Sequence, residues 1–110
     1  METSNFRKSW GDPRAVAICL SVPRGWTGKR DRRLAPTQEL FAKGNYTYRE
    51  YKRDVLAALD PHQILAAYKD SVLLCWEGDP TNCHRRMVAR WIEESTGVVV
   101  PEHDPEPTLF

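Results

Sequence analysis

SVLLCWE (Ser71–Glu77), then GDPTN (Gly78–Asn82), then CHRRMVARWIEES (Cys83–Ser95), is the stretch that decides the fold class. The first seven residues are a short apolar run containing a β-branched residue, the pattern of a strand covered on both faces. The next five are turn formers. In the last thirteen, Met87, Val88 and Trp91 recur at helical spacing, and Gly97 follows as a stop signal. A buried strand, a short loop and an amphipathic helix make up half of a parallel βαβ unit.

Upstream the same grammar repeats. AVAICLSV (Ala15–Val22) predicts a second buried strand, stopped by Pro23. PRGWTGKRDRRLAP (Pro23–Pro36) reads as a long loop, a length often associated with function. QELFAK (Gln38–Lys43) predicts a short helix, capped by Thr37 and ended by Gly44. Tyr48, Tyr51, Val55 and Leu59 share one face of a further helix. Asp60-Pro61 opens another, with Ile64, Leu65 and Tyr68 inward. Downstream, Val98–Val100 reads as a third strand, before an acidic, proline-rich tail, PEHDPEPTLF, expected to be mobile.

The expected fold is therefore α/β: a small Rossmann-like three-layer domain whose short, largely parallel sheet joins residues 15–21, 71–76 and 98–100. The 110 residues form one domain, with 1–12 as an N-terminal segment and 103–110 as the mobile tail.

Composition narrows the class. With 41% hydrophobic and 28% charged residues the chain is not globally disordered. It has no apolar run of about 18 residues, and METSNFRKSWGDP lacks the apolar core of a signal peptide. Cys19, Cys75 and Cys83 are an odd number at irregular spacing, which fits reduced thiols and a cytoplasmic protein with no membrane association. The net charge of +1 hides an asymmetry. Residues 1–54 hold twelve Lys/Arg against six Asp/Glu, and residues 55–110 hold four against nine. Clustered cations govern attraction to anions more than the total does.

Right-handed crossovers bring the loops after the first two strands to one sheet edge, where ligands of open parallel sheets settle. That edge collects the candidate site. Cys83, at the first turn of a helix and beside His84 and Arg85, has surroundings that lower a thiol pKa, and is expected to be the most reactive of the three cysteines. The alternative is a small residue packed under the loop. His84 is a candidate acid or base, or a capping side chain. Glu77, at the strand end, is a candidate proton acceptor; these three are the candidate catalytic residues. Arg85 suits a phosphate or carboxylate, against the alternative of an ion pair with Glu77 or Asp79. Arg30, Arg32, Arg33 and Trp26 supply cations and one stacking ring in the basic loop. Cys75, inside an apolar run, is a secondary candidate whose ordinary role is packing. By residue type, Cys75, Cys83, His84 and Cys19 would suit zinc. Adjacent Cys83 and His84 would point apart on a helix and no CxxC pair exists, so neither a metal nor another cofactor is expected.

The segment LLCWEGDPTNCHRRMVARWI resembles the family of domain-of-unknown-function 488, which includes a YeaO-like branch, through LLCWE, the triplet Cys83-His84-Arg85 and the helix VARWI. LAPTQEL and YTYREYKRDVLAAL are also similar, so the likeness spans about residues 13–102, with the CHR region its distinctive part. The resemblance implies a compact α/β fold and no particular reaction.

Two classes of function fit these residues. One is an enzyme acting on a nucleotide or nucleic acid, with Arg85 and the basic loop holding phosphate. The other is a non-catalytic module that binds nucleic acid or a protein through its basic half. GxGxxG, GxxxxGK[ST], HxE with a paired CxxC and HCxxxxxR are all missing, so the type of reaction stays open.

Overall fold

The computed structural model describes residues 1–76 and 83–103. Four parallel strands form one sheet: β1 (Glu2–Asn5), β2 (Ala15–Ala17), β3 (Lys29–Arg30) and β4 (Val72–Cys75). Their spatial order is β1-β4-β2-β3. The helices are α1 (Phe6–Ser9), α2 (Gln38–Lys43), α3 (Tyr48–Asp54), α4 (Pro61–Tyr68) and α5 (His84–Thr96), with 3-10 turns at Arg32–Leu34 and Leu56–Ala58. The expected α/β class with a short parallel sheet is what the chain adopts. No helix among the described residues is long and apolar enough to cross a membrane.

Strand alternation divides the core. Val16, Ile18 and Leu73 face a large cluster with Leu40, Tyr51, Ile64, Val88 and Ile92 of the helices. Ala15, Ala17, Cys19, Val72 and Leu74 face the other way, onto Phe6 with Trp26 beside it. Both faces of β2 and β4 are thus apolar, which is why each reads as a continuous run. The layer over the second face is thin, resting on one four-residue helix and aromatic rings.

Helix boundaries follow their caps. Thr37 accepts from the Leu40 amide and opens α2, and Gly44, at φ +80°, closes it. Asp60 caps α4 with Pro61 in its first turn. Thr47 and Glu50 form a reciprocal capping box at the start of α3. The predicted continuation of α3 to Leu59 does not occur: it ends at Asp54, and a 3-10 turn carries Leu56 into the core.

Three strand assignments change. Residues 2–5, expected to be part of an N-terminal segment, pair in register with β4 along Glu2–Val72 to Asn5–Cys75. The long basic loop contains β3, whose exposed Lys29 and Arg30 form an edge strand. Val98–Val100 is not a strand. Val98 and Val99 are exposed, and the Val100 N–H donates to the Glu93 carboxylate while its carbonyl accepts from Arg86. Side chains of α5 satisfy that backbone, so it has no need of a ladder. The chain meets the sheet one step later, through a parallel bridge between Thr3 and Glu102.

Candidate functional site

Parallel strands bring their carboxyl ends to one edge, and Asn5, Ala17, Arg30 and Cys75 mark it. Helix α5 starts at the same edge and presents Cys83, His84 and Arg85. Cys83 occupies the N-cap with extended backbone, φ −107° and ψ 138°. Its side chain is therefore not set by helical geometry, and adjacency does not hold it apart from His84. Ligand atoms of Cys75, Cys83 and His84 all lie within 4.8 Å of one another, and all three residues are buried.

Cys75 and Cys83 are joined sulfur to sulfur, with α carbons 7.3 Å apart. This corrects the expectation of three reduced thiols; Cys19 alone is outside the disulfide. Cys83 is buried and its sulfur is in the disulfide, so a thiolate there exists only in the reduced protein. The Nε2 of His84 lies 2.6 Å from the Ile18 carbonyl, beyond the end of β2. A carbonyl only accepts, so Nε2 carries a proton in this contact. The Tyr51 ring packs against the imidazole at 5.9 Å between centroids.

Arg85 has an internal role. It is fully buried; its Nε and Nη2 donate to the Glu102 carboxylate, and its Nη1 donates to Cys75 Sγ at 2.9 Å. In the reduced protein, a guanidinium held this way would favour negative charge on that sulfur. Burial raises the Glu102 pKa, but hydrogen bonds from Arg85 and Thr3 outweigh it and hold the carboxyl below its ordinary range. Arg85 is thus ion-paired with Glu102, a carboxylate that the sequence reading did not weigh. Asp79 and the candidate acceptor Glu77 lie outside the described residues.

Beside this cluster opens a cleft of about 450 Å³. Leu20, Ser21 and Pro36 line part of it, Phe41, Tyr46 and Trp76 form aromatic walls, and Cys19 and His84 contribute from within. Trp76 is anchored by an Nε1–H bond to the Ser21 carbonyl at 2.7 Å. Phe41 is 65% exposed and Trp76 54%, so both rings offer open surface.

The basic-loop candidates scatter around this edge. Arg30 Nη2 donates to the carbonyl of cleft-lining Leu20, which places its cation at the rim. Arg33 is paired with Asp31, and Arg32 is exposed on the 3-10 turn. Trp26 packs on Phe6 and Trp10, at 5.2 and 5.4 Å between centroids, and lines a different cleft of about 300 Å³. The structure brings together Cys75, Cys83, His84 and Arg85, joins Arg30 to cleft-lining Leu20, and sets Trp26 in a different cleft.

Sequence reading missed Glu102, Phe41, Tyr46, Trp76 and the Ile18 carbonyl. The one available signal was Arg85 itself, since a buried arginine requires a carboxylate partner.

No curated protein and no solved structure matches the chain. A family model described as "Domain of unknown function DUF488" matches residues 22–92, from the end of the first predicted strand well into α5. That match covers more than half of the sequence and includes the Cys-His-Arg triplet, so this chain belongs to the DUF488 family.

Proposed function

We propose that the protein is an enzyme acting on a small, ring-bearing anionic ligand of the nucleotide class, held in the aromatic cleft with its reacting group against the Cys75–Cys83–His84 cluster. One observation carries the reading: His84 belongs both to the cleft wall and to the sulfur cluster. A ligand filling the cleft therefore touches the most chemically capable group of residues in the described structure. Open aromatic rings supply stacking surface for a planar base. Arg30 at the rim supplies a contact for phosphate, while Arg85 is a positioning residue behind the cluster. Glu77 remains the candidate proton acceptor of this proposal, and Arg32 and Arg33 remain candidate anion contacts.

The test is a titration of metal-free protein with nucleosides, nucleoside monophosphates, short oligonucleotides and inorganic phosphate, followed by tryptophan fluorescence. Nucleotides should quench Trp76 and bind more tightly than nucleosides or phosphate alone. If none of these perturbs the fluorescence at low salt, the ligand class is wrong. Tight binding by oligonucleotides alone would favour the non-catalytic nucleic-acid module.

A further inference from the structure

The sulfur pair has a geometry that a second occupant explains. Disulfides usually span about 4.4–6.8 Å between α carbons, and pairs beyond about 7 Å need backbone movement to close. Cys75 and Cys83 stand 7.3 Å apart, on a rigid strand end and a helix N-cap. Two thiolates that share an ion tolerate such a separation, because the metal lies between the sulfurs.

We propose that the reduced protein holds one tetrahedral divalent ion of the zinc class, bound by Cys75 Sγ, Cys83 Sγ and Nδ1 of His84. Four features support this set. The two sulfurs and a ring nitrogen of His84 already lie within 4.8 Å of one another. Two sulfurs and one imidazole are a donor set that zinc-class ions prefer. His84 Nε2–H is fixed on the Ile18 carbonyl at 2.6 Å, the outer hydrogen bond by which metal-binding histidines are oriented, and it leaves Nδ1 as the donor nitrogen. Arg85 donates to Cys75 Sγ and offsets the charge that two buried thiolates would add.

With three protein ligands, the fourth position of a tetrahedral ion is open. His84 also lines the cleft, so the proposed ion would be bound by a residue that the ligand of the proposed function touches. Sites with an open position are catalytic in character, since the ion there binds and polarises water or a substrate oxygen. In the disulfide form neither sulfur is a thiolate, so metal binding belongs to the reduced protein. The site does not depend on the cleft's ligand being a nucleotide.

The experiment is an anaerobic cobalt(II) titration of the full chain reduced with a phosphine. One ion per chain should bind, with the intense visible bands of tetrahedral cobalt and a near-ultraviolet thiolate-to-cobalt charge-transfer band. Cys75→Ser and Cys83→Ser should each weaken binding by about 100-fold or more, since loss of a ligand exceeds the 10–100-fold typical of outer-shell changes. His84→Ala should alter the visible bands, and Cys19→Ser should retain the wild-type spectrum. Far-ultraviolet circular dichroism checks that each variant folds, and zinc should raise the melting temperature of reduced wild type and reduced Cys19→Ser but not of the oxidised protein. The proposal fails if reduced wild type with three titratable thiols takes up no cobalt, or gives only weak octahedral bands. It also fails if the Cys75 and Cys83 variants bind as tightly as wild type. Nucleotide binding by metal-free protein without cobalt uptake would sink the metal site alone, and the reverse result would sink the nucleotide reading alone.

Discussion

Arg85 and Glu102 form a paired fork at the back of the candidate site: Nε lies 3.1 Å from Oε1 and Nη2 lies 2.7 Å from Oε2. Arg85 is fully buried and Glu102 keeps 22% of its side chain exposed. A buried guanidinium must have its charge matched, and its third contact, Nη1 to Cys75, makes the pair a support for the sulfur cluster. Glu102 is itself held by Thr3 Oγ1 at 2.7 Å, so strand β1 and the segment after α5 both contribute to the support.

Glu102→Gln should therefore destabilise the fold by about 1.5–3 kcal/mol, the usual cost of losing a hydrogen bond to a charged group. Chemical denaturation of wild type and variant, at unchanged m-value, measures it. The double variant Arg85→Met/Glu102→Leu should lose less than Arg85→Met alone, because it leaves no carboxylate without a partner. Equal or greater loss in the double variant would mean that the pair acts through something other than charge matching.

Asp31 gives a pH dependence. Its carboxylate accepts from Arg33 and from the Tyr68 hydroxyl, and the Arg33 contact is the main reason its pKa lies below the ordinary value. The unfolded chain then takes up the proton first as pH falls. Asp31 contributes fully above the ordinary aspartate value of about 3.9, and its contribution is lost as pH drops through the depressed folded value. Wild type should lose stability more steeply than Asp31→Asn over that acid window, with little difference in shape near neutrality. Parallel acid limbs in the two proteins would refute the linkage.

Thr47→Ala removes one half of the capping box, in which Thr47 Oγ1 accepts from the Glu50 amide at 3.1 Å and the Thr47 amide donates to Glu50 Oε1 at 3.0 Å. The expected loss is about 1 kcal/mol, read by thermal or urea unfolding. Thr47→Ser should recover most of it, which a volume effect would not do.

What the sequence disclosed follows from how locally each element is specified. β2, β4 and α5 are written in contiguous apolar runs and cap residues, so they are legible. β1 is not, because Thr3, Ser4 and Asn5 are buried polar residues. Their hydrogen bonds run to Glu102, Ser9 and the Lys8 amide, and the Glu102 partner lies 99 positions away. Separation along the chain likewise hid Glu102 as a carboxylate partner of Arg85; Glu77 and Asp79, the partners weighed along the chain, lie outside the described residues. Val98–Val100 misled in the opposite direction, since three β-branched residues name a propensity while the side chains of Glu93 and Arg86 decide the hydrogen bonds. The Cys75–Cys83–His84 cluster was half visible. Its residues were singled out one by one, but their convergence depends on the extended backbone at Cys83, which spacing on an ideal helix does not foresee.

The last prediction separates stacking from charge in the cleft. Trp76 is half exposed, its edge packs on Phe6 at 5.5 Å between centroids, and its indole N–H is fixed to Ser21, so the ring is preorganised for a planar partner. Arg30 contacts the cleft only at the Leu20 carbonyl and is open to solvent. Trp76→Ala should weaken nucleotide binding by about 1–3 kcal/mol, the range for a lost base–aromatic stack, and by the same factor at low and high salt. Arg30→Ala should weaken nucleotides but leave nucleosides unaffected, and its effect should shrink as salt screens the exposed charge. Isothermal titration at two ionic strengths, with a nucleoside and its monophosphate as the paired probes, gives all four comparisons. If Trp76→Ala costs nothing, the aromatic wall is not a stacking surface; if Arg30→Ala weakens nucleoside and nucleotide alike, the rim cation does not read phosphate.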